Sequence, residues 1–105
     1  MSDFPGVNIS TDLDEGVDTK LKEPEMYRVI LLNDHYTTMD FVVDIIRTIF
    51  HKSAGEATKI MMDVHKKGQG VVGTYPLDIA STKVWQVQEK ARERDFPLEC
   101  VLENI

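Results

Sequence analysis

A single cysteine, Cys100, in a chain of 105 residues leaves no internal disulfide to form, which suits a reducing compartment. The chain does not open with a basic stretch followed by an apolar one, so no secretory signal is expected. No apolar run approaches the ~20 residues that a membrane crossing needs. These absences lead us to expect a cytoplasmic protein with no membrane partner. Clusters of Lys and Arg are lacking too, and with them the usual footprint of a nucleic-acid partner. So are the phosphate-cradling GxxxxGK[ST] loop, the GxSxG elbow and the HExxH helix. The pattern argues against an enzyme: no catalytic residue, resident metal or cofactor is expected.

What the chain does have is acid, unevenly placed. Its formal net charge is -6. Residues 1–25 hold Asp3, Asp12, Asp14, Glu15, Asp18, Glu23 and Glu25 against only Lys20 and Lys22, whereas the remainder is close to neutral. That first segment has no sustained hydrophobic period and contains Pro5, Gly6, Gly16 and Pro24. It reads as a flexible acidic extension, with residues 26–105 as one small domain. The 42% hydrophobic content is enough for the single modest core such a domain can build.

Within 26–105 the apolar pattern changes period several times. Tyr27 to Leu32 is a nearly continuous apolar run and predicts a buried strand. Asn33-Asp34-His35-Tyr36 then predicts a turn. Thr37 and Asp40 have the spacing of a capping box, and Met39, Val42, Val43, Ile46, Ile49 and Phe50 form the stripe of an amphipathic helix. Ser53 and Glu56 form a second such box before a helix with Ala57, Ile60, Met61 and Val64 on its apolar face. Gly68 should stop that helix, after Lys66 and Lys67 at its negative end. A short strand is predicted over residues 69–74, centred on Val71 and Val72. Pro76 suits the first turn of a third helix, which carries Ala80, Val84, Val87 and Ala91, with Trp85 at the edge of the stripe. Residues 98–102 complete a β-α-α-β-α-β order. The expected fold class is α+β: a three-stranded antiparallel sheet with three helices on one face.

The polar cluster Asn33-Asp34-His35 stands between the first strand and the first helix. Such residues can serve the turn alone. However, the short loop joining the first two helices should pack them antiparallel. That brings Met39 and Val42 close to Met61, Val64 and His65. The result would be an apolar slot rimmed by Asn33, Asp34, His35 and His65. Amide, carboxylate and imidazole can all accept hydrogen bonds from an ammonium group, and the slot would take an apolar side chain. An α-amino group beside a bulky side chain is what a peptide N-terminus presents. Two other readings compete: Asp34, His35 and His65 as a two-histidine, one-carboxylate metal site, or an interaction module that ignores N-termini. Cys100, mid-strand among apolar neighbours, is expected to be buried and inert.

The run Tyr27-Arg28-Val29-Ile30-Leu31-Leu32-Asn33-Asp34-His35-Tyr36-Thr37-Thr38-Met39-Asp40-Phe41-Val42 closely resembles the ClpS adaptor family. So do Ala57-Thr58, Met61, Val64-His65 and Gly68, then Thr82-Lys83-Val84, Arg92-Glu93 and Pro97-Leu98 in the same order. The resemblance implies an adaptor that binds N-terminal Leu, Phe, Tyr or Trp of substrate proteins and delivers them to the ClpA–ClpP protease. It implies that Asn33 and His65 hold the α-amino group. Thr37, Met39, Val42, Met61, Val64 and Leu98 would line the side-chain pocket, with Met39 as gatekeeper. Asp78 and Lys83 would lie on the surface that docks the N-terminal domain of the ClpA unfoldase. One position departs from the family pattern: His35 stands where an acid that contacts the amino group is usual.

Overall fold

A computed structural model describes residues 24–105. The acidic segment, apart from its last two residues, lies outside the described residues. Three strands and three helices follow in the expected order: β1 Met26–Leu32, α1 Met39–Thr48, α2 Ala54–Lys67, β2 Gln69–Pro76, α3 Leu77–Glu93 and β3 Glu99–Asn104. The sheet has the order β2-β1-β3, and β1 pairs antiparallel with both neighbours. Among the described residues no helix is long and apolar enough to cross a membrane.

The continuous apolar run of β1 follows from its central place. Val29 and Leu31 are wholly buried in the helix-facing core. Ile30 points to the other face, where it is flanked by Val71 of β2 and Val101 of β3 and is only 6% exposed. Successive strand residues face opposite sides; on the face away from the core Ile30 is screened by its cross-strand neighbours, so an apolar residue interrupts the polar alternation there. Between Val29↔Gly73 and Ile30↔Val71 the register shifts by one residue, a bulge in β2.

Helix α1 starts one residue away from the expected cap. Thr38, not Thr37, is the N-cap: its hydroxyl accepts from the Phe41 amide. The buried face is also rotated from the expected stripe. Phe41, Val42, Ile45 and Ile46 are buried, whereas Met39 is exposed. Phe41 is drawn in by an edge-on contact with Phe96, with ring centroids 5.0 Å apart. Helix α2 opens on the Ser53–Glu56 capping box and closes on Gly68, whose φ of 90° is a left-handed conformation suited to glycine. A Cβ on Gly70 would stand 2.8 Å from Val64 Cγ2 and 3.2 Å from the Ile60 carbonyl. The missing side chain is what lets β2 lie so close beneath α2.

The stretch Gly68-Gln69-Gly70-Val71-Val72-Gly73 spells GxGxxG, the letters of a dinucleotide fingerprint. It runs out of a helix into a strand, the reverse of the strand-to-helix order that phosphate binding requires. Its first two glycines serve the helix cap and the close approach.

Helix α3 buries the small residues Ala80, Val87 and Ala91 against the sheet. Trp85 does not pack at the edge of that stripe but is 60% exposed. Cys100 is buried, and loss of hydration pushes its thiol up to about 12, which leaves it protonated and unreactive at neutral pH.

Candidate functional site

Where β1 ends, the backbone amide of Asn33 donates to the carbonyl of Gly68 at 3.0 Å. This bond ties the loop after β1 to the C-terminal end of α2. The next residue shapes the loop. Asp34 Oδ1 accepts from the amides of Tyr36 and Thr37, both at 2.7 Å, and Oδ2 accepts from the Thr37 hydroxyl at 2.6 Å. This is an Asx turn with an added side-chain clasp. Partial desolvation opposes ionisation of Asp34. The Thr37 hydroxyl, the two amides and the neighbouring His35 outweigh it, and the carboxyl is held below its ordinary pKa.

The turn sets Asn33, Asp34, His35 and Thr37 along one side of a pocket of about 220 Å³. Met39 and Val42 enter from the first turns of α1, and Met61, Val64 and His65 from the last turns of α2. These side chains meet because the two helices run antiparallel from the short loop at residues 49–53. Val42, Met61 and Val64 are buried and form the floor; Asn33, His35, His65 and Met39 are exposed at the rim. The pocket is thus apolar within and polar along one edge.

Nine of the twelve residues singled out in the sequence line this pocket. Leu98 does not: it is 5% exposed and sits in the core cluster that also contains Val42, Met61 and Val64, opening instead toward a depression beside Phe96 and Pro97. Asp78 is exposed at the start of α3, beside Leu77 and Pro76. Lys83 is only half-exposed. Its ammonium donates to the Ile49 carbonyl at 2.7 Å and stands 5.7 Å and 5.3 Å from the ring centroids of Phe50 and Tyr75. It therefore bolts α3 to the negative end of α1. Asp78 and Lys83 border different depressions. Among the described residues, no group of three or more His, Cys, Asp or Glu side chains is placed to hold a metal ion, so the arrangement of Asp34, His35 and His65 does not favour the metal reading.

A second groove of about 610 Å³ runs beside Lys83, where Trp85 of α3 faces Ile49 and His51; of these residues only Lys83 has an expected role. The available signal was a tryptophan off the apolar stripe of its helix. His51 adopts a left-handed backbone, φ 59°, a feature that sequence does not announce.

Residues 22–101 match the family model described as ATP-dependent Clp protease adaptor protein ClpS. The ATP-dependent Clp protease adapter protein ClpS of Syntrophus aciditrophicus is 57% identical over 98 residues, covering 93% of this chain and 92% of that one. Its counterpart in Acetivibrio thermocellus is 62% identical over 82 residues, or 78% and 83% of the two chains. Among solved structures, Agrobacterium tumefaciens ClpS2 bound to L-phenylalaninamide superposes with a TM-score of 0.77 at 35% identity, covering 79% of this chain and all of that one.

Proposed function

The chain belongs to the ClpS family of Clp protease adaptors, and from that membership we propose that its pocket receives the N-terminal residue of a substrate polypeptide for delivery to the protease. The observation that carries the reading is the pairing of an apolar floor, Val42, Met61 and Val64, with a rim of hydrogen-bond acceptors on one edge. A space of about 220 Å³ is that of roughly seven waters at ~30 Å³ each. It has room for one bulky side chain and not for a folded segment. The phenylalaninamide on the Agrobacterium relative has that chemistry: a free amino group beside an aromatic side chain.

In this reading Asn33 and His65 accept from the α-amino group, with His35 beside them. Thr37, Met39, Val42, Met61 and Val64 surround the side chain, so N-terminal Leu, Phe, Tyr and Trp fit. Leu98 supports the floor from below. The partner that receives the complex is the N-terminal domain of ClpA, docking near Asp78 and Lys83. The hydrolysis is the protease's own; the adaptor supplies recognition.

The test is fluorescence anisotropy with a labelled peptide beginning in Leu, against the same peptide acetylated at its N-terminus. Hydrogen bonds to a charged group contribute about 1.5–3 kcal/mol each. Acetylation should therefore weaken binding well over tenfold, as should Asn33→Ala or His65→Ala. Equal affinity for the free and acetylated peptides would sink the proposal and favour a module of the same fold that ignores N-termini.

A further inference from the structure

Helix α3 ends in a turn that places one aromatic ring against α1. Asp95 takes a left-handed backbone, φ 57°, which aspartate is among the few residues to tolerate. Its amide donates to the Arg92 carbonyl at 3.1 Å, and the Phe96 amide donates to the Ala91 carbonyl at 2.9 Å. These are the bonds of a Schellman motif, and they fix where Phe96 stands. The Phe96 ring meets Phe41 of α1 with centroids 5.0 Å apart and an interplanar angle of 61°, an edge-to-face arrangement that aromatic pairs favour. The Arg94 guanidinium lies 5.3 Å from the Phe41 centroid and 5.7 Å from that of Phe96, within reach of a cation–π attraction to both rings. Further along the same loop, Leu98 is buried in the core cluster with Val42, Met61 and Val64.

Phe96 does not line the α1–α2 pocket; it borders a separate depression of about 570 Å³. Its link to the pocket is Phe41. The next residue on α1 is Val42, part of the pocket floor, and at about 3.6 residues per turn the two side chains point about 100° apart. A helix of ten residues cannot turn one of them without the other. Met39, at the rim, rides on the same turn of α1. Resting on the N-terminus reading above, we propose that Phe96 is a positioning residue that sets the size of the pocket through Phe41, and so sets which bulky N-terminal side chain binds best. With the ring in place, the floor is backed by a packed aromatic pair. Without it, a void stands behind Phe41, and the surrounding groups relax only partly into it. The floor then gives way under a wide side chain, such as the indole of Trp, more than under the smaller Leu.

The test is fluorescence anisotropy of the full chain with labelled peptides beginning in Leu and in Trp, each also in acetylated form, with thermal unfolding of every variant. Phe96→Ala should raise the ratio of Trp to Leu affinity about fourfold or more, the gain from burying one further methylene-sized group. Phe96→Tyr keeps the ring and its contact, with the depression open to its hydroxyl, and should retain the wild-type ratio. Loss of folded protein alone weakens both peptides by the same factor, so the ratio separates positioning from stability. If Phe96→Ala does not fold, Phe96→Leu carries the same expectation with a smaller rise. A ratio that stays level or falls in the variant that folds, or a Tyr variant that shifts it as far as Ala does, would overturn the role of Phe96. The N-terminus reading stands in that case as long as free peptides bind better than acetylated ones. No preference for the free peptides would overturn both.

Discussion

Asp34 borders the pocket yet gives its carboxylate to the turn, and this has a consequence for stability. Its folded pKa lies below the ordinary carboxylate value, so the folded state favours the ionised form. The resulting stabilisation is present above the unfolded value of ~3.9 and is lost as pH falls through the lower folded value. Asp34→Ala should destabilise the protein by on the order of 1–2 kcal/mol at pH 7, given net values of about 0.5–1.5 kcal/mol per hydrogen bond. The gap from wild type should narrow below about pH 4. Urea denaturation of both proteins at neutral and acid pH checks this; a gap that stays constant or widens on acidification would mean that the clasp is not what stabilises the turn. The same residue shows where sequence reasoning stops. Thr37 and Thr38 are adjacent and both precede an acid-containing first turn, so each is a plausible cap. Asp34 takes the Thr37 hydroxyl and leaves the cap to Thr38. That competition is decided by the folded turn, three residues away. Leu98 is similar: its place behind the pocket depends on how β3 returns to the core, which no local pattern contains.

At the scale of elements, local signals were the readable ones. The Ser53–Glu56 capping box and the Gly68 stop both act within a few residues, and both bound α2 as expected. The rotation of α1 was not readable, because it comes from Phe41 meeting Phe96, a residue more than fifty positions away. Lys83 carries the same lesson. Placed by family likeness on a docking surface, it also ties the end of α1 to α3 through Ile49, Phe50 and Tyr75. A cation over an aromatic face contributes about 0.5–1 kcal/mol at exposed sites, and the bond to a carbonyl adds to it. Lys83→Ala should therefore lower stability by on the order of 1–2 kcal/mol, whereas Asp78→Ala, an exposed residue whose one side-chain hydrogen bond is to the next amide, should stay within about 0.5 kcal/mol of wild type. Thermal unfolding of the two variants decides it. Equal stability would return Lys83 to a purely surface role, and a docking assay that uses Lys83→Ala alone would confound folding with binding.

Across the whole molecule, the pocket and the groove beside Trp85 lie at opposite ends of α1: one at Met39 and Val42, the other at Thr48 and Ile49. The antiparallel α1–α2 pair against a three-stranded antiparallel sheet was legible from the order of periods in the sequence, and with it the pocket between the two helices; the central place of β1 was not. The exposed tryptophan groove was not, since a single off-stripe residue does not say whether it packs or faces solvent. The central claim is that one free N-terminal residue, bound in the pocket, commits a polypeptide to the protease. The most direct measurement is the degradation rate of a fluorescent protein beginning in Leu by ClpA–ClpP, with and without the adaptor, beside the same protein beginning in Gly. The account predicts that the adaptor accelerates loss of the Leu protein, leaves the Gly protein unaffected, and loses this action when His65 is replaced by Ala. Equal acceleration of both proteins, or of neither, would contradict it.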